Sequence, residues 1–477
     1  MRQTAEQLFL NEREKLLQHF SASFETAFNL NRKVVSFQAN KTEPIYRWFK
    51  YKEGFSSSLV KYFLSEYAPK SGRILDPFAG AGTTLFAGQE LGWESIGIEL
   101  LPVGIFVMKT REALDKIDRK QLKTITGTGK LWTDIENNDY HSYQIQHISI
   151  TKDAFPDETE EFLNKYLGYC STIEDESIQT ILRFAALSVL EEISYTRKDG
   201  QYLRWDYRSK RQLAGKPFDK GKILSFEEAL KNKLTDIVHD LAPCSAISLF
   251  EQHNVGSNEK HPVTIIQGSC LEKLPILEDN YFDFTITSPP YCNRYDYTRT
   301  YALELIYLGL DKDEVRNLRQ SLLSCTVENK EKLDMMSQFY LSIGKHNVFD
   351  MVINVYKSSN AMSEVNSVLD VLNKTGKLNN NNIPRMVKNY FLELCFVIYE
   401  MARVTKKNGY CVMINDNVRY GGEEVPVDLI LSEFAEAFGF HVNKILVLPR
   451  GKGNSSQQMG NYGRTEIRKC VYLWQKR

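Results

Sequence analysis

One stretch constrains this chain more than any other: Ile74-Leu75-Asp76-Pro77-Phe78-Ala79-Gly80-Ala81-Gly82-Thr83-Thr84. Two apolar residues make a short strand that closes on an acid. The glycines then supply a turn tight enough to bring backbone N–H groups against a ligand. A helical pattern runs from Leu85 to Leu91 and stops at Gly92, and a second strand, Ser95 to Glu99, again closes on an acid. Strand, glycine turn, helix, strand and acid make the opening unit of a nucleotide-binding α/β sheet, with Glu99 placed to take the ribose hydroxyls of an adenosine. Two simpler fingerprints fail. The third glycine of a dinucleotide-binding turn would fall at Leu85, and no lysine follows the turn as a P-loop requires. Gly127-Thr128-Gly129-Lys130 imitates a P-loop, but Leu131 stands where Ser or Thr must bind magnesium.

Further strands read at Val263–Gly268, at Phe282–Tyr291, where a Pro-Pro pair breaks it, and at Tyr410–Asn415, and His441–Leu448 with Arg468–Trp474 reads as a hairpin. Seven strands are thus expected. A helix from about Val387 to Val404 is expected to end at Lys406-Lys407-Asn408-Gly409, with a cationic last turn and a glycine stop. Long insertions separate Leu100 from His261 and Thr298 from Pro384; the second is mostly helical, and its Asn379–Asn382 run reads as a flexible linker. The chain divides into 1–70, an N-terminal helical segment; 71–110, the first half of the core; 111–261, the first insertion; 262–297, two core strands; 298–384, the second insertion; and 385–477, the rest of the core.

Composition narrows the function class. Sixty Lys and Arg balance sixty Asp and Glu over 477 residues, so bulk electrostatics do not hold this chain on nucleic acid or a membrane. Eight cysteines, none spaced as C-x-x-C, are neither a disulfide framework nor a zinc site, and no metal is expected. The first twenty residues mix charged side chains with Leu8, Leu10, Leu16, Leu17 and Phe20 at helical spacing; no signal peptide and no membrane span are read, and a cytoplasmic location is expected.

Thr287-Ser288-Pro289-Pro290-Tyr291 follows an apolar strand directly. Two prolines cannot continue a central strand, so they fix a rigid exit at the strand's C-terminal edge, where α/β sheets bind ligands. Their carbonyls are free acceptors and Tyr291 offers a flat face, an arrangement that suits an amino group on an aromatic ring.

With these residues the sequence resembles the amino-methyltransferases that act on exocyclic nitrogens of nucleic-acid bases. Asp76 to Gly82 is similar to their S-adenosylmethionine-binding motif, Glu99 to their second-strand acid, and Ser288-Pro289-Pro290-Tyr291 to their catalytic motif. Arg47 to Ser56 resembles the segment that covers the methionine end of the cofactor. The resemblance implies a Rossmann-like class I methyltransferase fold, α/β, with a seven-stranded mixed sheet and two large, mainly helical insertions. It implies that S-adenosylmethionine is bound by Lys52, Phe55, Ser56, Asp76, Phe78, Ala79, Gly80, Gly82, Thr83, Thr84, Glu99, Leu100, Gly268, Ser269 and Cys270. Ser269 departs from the family, which usually carries an acid there for the adenine amino group; Gln267 or a backbone group is the alternative reader.

The implied chemistry is methyl transfer to an amine whose lone pair is delocalised into its ring. Acceptors at Ser288 and Pro289 would favour pyramidalisation, with Pro290 rigid behind them. Tyr291 would stack on a base flipped from the duplex, and Tyr295 or Tyr297 would add a second wall. Carbon-5 chemistry would need a nucleophilic cysteine, and Pro243-Cys244 reads instead as a structural thiol. The Ser-Pro-Pro-Tyr form is commonest among cytosine-N4 DNA enzymes. Adenine-N6 DNA methylation, RNA guanine-N2 methylation and a non-catalytic DNA-binding role stand as alternatives.

Cations and aromatics interleave from Tyr195 to Lys222, with basic residues about three to one over acids. Arg197, Lys198, Tyr202, Arg204, Trp205, Arg208, Lys210 and Arg211 are the candidate DNA contacts there, joined by Arg450, Lys452 and Arg464 in a Gly/Ser/Asn-rich loop. Asn415 to Arg419 should line the rim of the site. The expected partners are double-stranded DNA and a cognate restriction endonuclease.

Overall fold

The computed structural model describes residues 11–127, 129–137, 143–199, 202–211, 217–242, 261–449 and 467–477. Twelve strands are present among them: β1 (Phe24–Thr26), β2 (Arg73–Asp76), β3 (Glu94–Glu99), β4 (Thr196–Asp199), β5 (Tyr202–Trp205), β6 (Val263–Gln267), β7 (Phe282–Thr287), β8 (Thr405–Asp416), β9 (Val418–Tyr420), β10 (Glu423–Val425), β11 (Phe440–Val447) and β12 (Lys469–Lys476). Eight form one mixed sheet in the order β1-β11-β12-β8-β7-β2-β3-β6. β12 runs antiparallel to both of its neighbours, and the remaining pairs are parallel. The seven expected strands are all present. The eighth, β1, is a three-residue addition alongside β11, too short and too polar (Phe24-Glu25-Thr26) to stand out by alternation.

Because β2, β3, β6, β7 and β8 run parallel, their C-terminal ends share one edge, which carries Asp76, Glu99, Gln267, Thr287 and Asp416. The chain leaves β2 toward β3 on one side and meets β7 on the other, so a topological switch point lies at Asp76. Helices α1 (Glu12–His19), α2 (Ser57–Tyr67), α3 (Thr83–Glu90) and α4 (Pro102–Ala113) precede the first insertion. α3 starts at Gly82, whose φ of 77° is the left-handed conformation the turn requires.

Leu85 stands where a dinucleotide turn would carry its third glycine. The small residue sits across the interface instead: a Cβ on Gly97 of β3 would lie 2.6 Å from Leu85 Cδ1. Close helix–strand packing is kept with the partners exchanged.

Both insertions are helical. The first packs Asp157–Cys170, Glu176–Ile193 and Phe226–Leu241 into a core of its own, continuous with residues 295–307 after β7. The second runs through Leu333–Ser342, His346–Ser358 and Asn360–Lys374 against the long helix Ile383–Val404. Two local expectations change. That helix passes at Val404 straight into β8, so Lys406 lies in the strand, where its ammonium bonds Asp283 at 2.7 Å, and does not cap a helix. Asn379–Asn382 is a bonded turn: Asn379 Oδ1 accepts from Arg294 Nη1 at 2.7 Å, and Asn380 Oδ1 from the Asn382 N–H at 2.8 Å. No helix among the described residues is long and apolar enough to cross a membrane.

Candidate active site

Asp76 is buried at the end of β2 and accepts from Thr84 Oγ1 at 2.7 Å, Thr287 Oγ1 at 2.7 Å and the Phe78 N–H at 3.1 Å. It ties the glycine turn, helix α3 and the end of β7 to one point. Burial pushes its carboxyl up to about 6, against the pull of these donors. Glu99, at the end of β3, accepts from the N–H groups of Gly80 (2.6 Å), Leu100 (2.9 Å) and Leu101 (2.7 Å). Burial outweighs those bonds as well and lifts it to about 7. A carboxylate offers about four acceptor positions and three are taken here, which leaves room for a hydroxyl.

Helix α4 comes as close to this turn as a backbone can. A Cβ at Gly104 would fall on the Gly80 carbonyl oxygen, with Glu99 Cγ 2.9 Å away. The sequence reading missed Gly104, whose only signal was a glycine early in an otherwise apolar helix.

Two cavities open at this edge. The first, of about 800 Å³, is lined by Phe55, Phe78, Ala79, Gly80, Thr83, Glu99, Leu100, Gly268, Ser269 and Cys270 from the expected set, and by Ser288 and Pro290. Asp76, Gly82 and Thr84 lie behind its wall and shape it. Ser56 is buried, caps α2 by accepting from the Leu59 N–H at 3.3 Å, and donates to the Val34 carbonyl at 2.6 Å. Lys52 lines the second cavity instead of the first, and its ammonium bonds the Lys198 carbonyl. Ser321, Leu322 and Leu323 of the second insertion complete the first cavity, and the Ser269 hydroxyl lies 3.5 Å from the Ser321 carbonyl. Gln267, the alternative to Ser269, is exposed and lines neither cavity. The buried trio Ser324, Lys332 and Glu393 anchors this segment, with Lys332 Nζ 2.9 Å from both Ser324 Oγ and Glu393 Oε1.

The second cavity, of about 1180 Å³, is lined by Pro289, Tyr291, Asn293, Tyr295, Tyr297, Asp416 and the cations Arg32, Lys52 and Lys469, among others. Ser288-Pro289-Pro290-Tyr291 is therefore a partition: Ser288 and Pro290 face the first space, Pro289 and Tyr291 the second. The Ser288 hydroxyl lies 3.2 Å from both the Ile414 carbonyl and the Tyr291 hydroxyl. Burial raises the Tyr291 phenol well above its ordinary value. Of the expected rim, Asp416 lines the cavity, whereas Asn415 is buried and donates to the Tyr390 hydroxyl at 2.9 Å.

The basic stretch behaves differently from its sequence reading. Lys198 is buried and ion-paired with Glu304, its ammonium 4.3 Å from the Tyr301 ring centroid, so it is no surface contact. Arg208 bonds Asp206 at 2.6 and 2.9 Å, and Lys210 bonds Asp157 at 2.8 Å. Arg211 lies 3.9 Å over the Trp205 ring and reaches the Ser149 and Lys152 carbonyls. Arg204 pairs with Asp199 at 3.2 Å over the Phe218 ring. Lys210 and Arg211 tie the segment after the β4–β5 hairpin to residues 149–157 of the same insertion, Lys198 ties the hairpin to Glu304, and Arg197 is exposed beside them. The side chain of Tyr202, the residues Arg450, Lys452 and Arg464, and Pro243-Cys244 lie outside what the structure describes.

A family profile described as DNA methylase matches residues 10–103, the span from the N-terminal helix through the glycine turn to Glu99 and the start of α4. The type II methyltransferase M.AvaI of Nostoc sp. is 46 % identical over 467 residues, covering 97 % of this chain and 92 % of its own length. The chain belongs to the type II methyltransferases. M.BsoBI of Geobacillus stearothermophilus is 41 % identical over 98 % of the chain and 92 % of its own length. M.MvaI of Kocuria varians is 22 % identical over 91 % of the chain. No solved structure matches. This methyltransferase is thus a DNA-methylating enzyme built on a mixed α/β sheet.

Proposed function

We propose that this DNA methyltransferase uses S-adenosylmethionine to methylate the exocyclic amine of a base flipped out of duplex DNA, that the base is cytosine and the atom N4, and that the enzyme is the modifying half of a restriction–modification pair. One observation carries the reading: Ser288-Pro289-Pro290-Tyr291 divides two cavities, with the glycine turn and Glu99 on one side and a tyrosine-lined space on the other.

The chemistry of the first cavity suits the cofactor. Glu99 keeps an acceptor position for a ribose hydroxyl, Phe78 and Leu100 offer apolar faces, and Gly104 lets the turn lie close to α4. Ser269, beside the Ser321 carbonyl, gives the adenine amino group oxygen acceptors without an acid. When bound, S-adenosylmethionine supplies an electrophilic methyl group on a sulfonium. The Pro289 carbonyl and Ser288 accept from the amine's N–H groups and turn its lone pair toward the partition. Tyr291, Tyr295 and Tyr297 enclose the flipped base with π faces. The type II label of the relatives supports the restriction–modification assignment, and a chromosomal substrate supports a cytoplasmic location.

The test is transfer of labelled methyl from the cofactor to duplex DNA, with transfer RNA as competitor. DNA alone should take up label, and Ser288→Ala should lower the rate on the order of 10²-fold. Label in RNA but not in DNA, or full activity in Ser288→Ala, would overturn the proposal.

A further inference from the structure

Methylating an amine leaves a proton to be removed. The nitrogen lone pair forms the new N–C bond while the S–C bond breaks and its electrons stay on sulfur, giving a neutral thioether. The nitrogen, now cationic, must lose one N–H proton to become a neutral secondary amine. Hydrogen-bond acceptors such as Ser288 and the Pro289 carbonyl orient the amine but cannot hold that proton. The acceptor has to face both spaces.

Glu53, Gly54 and Tyr297 line both cavities, and Glu53 is the carboxylate among them. The other candidate acids are placed elsewhere. Glu99 lines the first cavity alone and holds three backbone N–H groups. Asp416 lines the second alone and is ion-paired with Lys469. We infer that Glu53 takes the proton released by the methylated amine and passes it to solvent from the second cavity; this rests on the amine-methylation reading above.

The surroundings of Glu53 suit a base. The Tyr301 hydroxyl donates to its Oε2 at 2.7 Å, and the Tyr301 ring stacks on Tyr51 with centroids 5.2 Å apart. The ammonium of Lys198 lies 4.3 Å from the Tyr301 ring centroid, fixed by Glu304. Burial raises the Glu53 carboxyl, and Tyr295, Tyr301, Lys198 and Lys52 pull it back toward the ionised form. A carboxylate raised by burial is a more basic proton acceptor than an exposed one.

The experiment uses the full chain, labelled S-adenosylmethionine and duplex DNA. Single-turnover methyl transfer is followed from pH 5 to 9, and cofactor Kd is measured by calorimetry. Glu53→Gln should slow transfer on the order of 10²-fold at neutral pH, remove the acidic limb of the pH profile and leave cofactor Kd within about threefold. Tyr301→Phe deletes a donor that favours the ionised form, so it should move the acidic limb to higher pH while keeping most of the activity. The inference is overturned if Glu53→Gln weakens cofactor binding but transfers normally at saturating cofactor, for then Glu53 is only a cofactor ligand. It is also overturned if the limb stays in place in both variants. A wild-type product that carries no methyl on an exocyclic amine refutes the underlying reading instead, whatever the variants do.

Discussion

Asp76 and Glu99, buried at neighbouring strand ends, carry carboxyls raised from 3.8 to about 6 and from 4.5 to about 7. A carboxyl whose folded pKa exceeds its unfolded value binds its proton more tightly when folded. Its contribution to stability is therefore full below about pH 4 and is lost as pH rises toward 7, on the order of 3 kcal/mol for each group. Denaturant titrations of the cofactor-free enzyme at pH 5 and pH 7.5 should show that decline. Under the proposed function cofactor binding runs the other way, because a ribose hydroxyl would donate to the ionised Glu99. Affinity should climb several-fold between pH 6 and pH 8, and Glu99→Gln should bind more weakly with a flat profile; a flat profile in the wild type would remove Glu99 from the site. At this scale the sequence was legible where an acid or a proline pair ends a strand, because those residues carry their geometry with them. Glu53 sat within a quoted segment without a role, since its position between two cavities depends on Tyr301, 248 residues away.

The glycine turn and the β4–β5 hairpin differ in how much of their packing lies within their own stretch of sequence. Failure of the three-glycine pattern at Leu85 reflected an exchange of partners: Gly97 receives Leu85, and Gly104 receives the turn. Gly104→Ala must displace either α4 or the Gly80 carbonyl, so it should weaken cofactor binding at least tenfold while the fold persists, as calorimetry beside far-UV circular dichroism would show. Lys198 and Lys210 read as DNA contacts because their acids lie far off in sequence; Glu304 is 106 residues from Lys198 and Asp157 is 53 from Lys210. Removing one side of that buried pair strands the other charge, so Glu304→Ala should destabilise the protein by about 3–5 kcal/mol. Lys198→Met with Glu304→Leu should recover much of the loss. Neither change should alter the salt dependence of DNA binding, whereas Arg197→Ala, at an exposed position of the same strand, should weaken binding at low salt. Equal salt slopes for wild type and Arg197→Ala would move the DNA contact off this hairpin.

Across the whole molecule, zero net charge and cations paired with acids of the same chain leave few charges for DNA phosphates. The slope of log K against log salt should be shallow, roughly −3 to −4, since few phosphates are neutralised. The core strands themselves, and a candidate site at their C-terminal edge, were legible from strand ends and the glycine turn. The joint work of the two insertions did not, because it rests on packing between distant segments. Ser321–Leu323 of the second closes the first cavity, and the first insertion shares its core with residues that follow Ser288-Pro289-Pro290-Tyr291. Under the proposed function, the partition presents an amine, on cytosine, to the cofactor. The most direct measurement of this is mass spectrometry of nucleosides from duplex DNA methylated by the purified enzyme. The product should be N4-methyldeoxycytidine; N6-methyldeoxyadenosine or 5-methyldeoxycytidine would rule out transfer to cytosine N4.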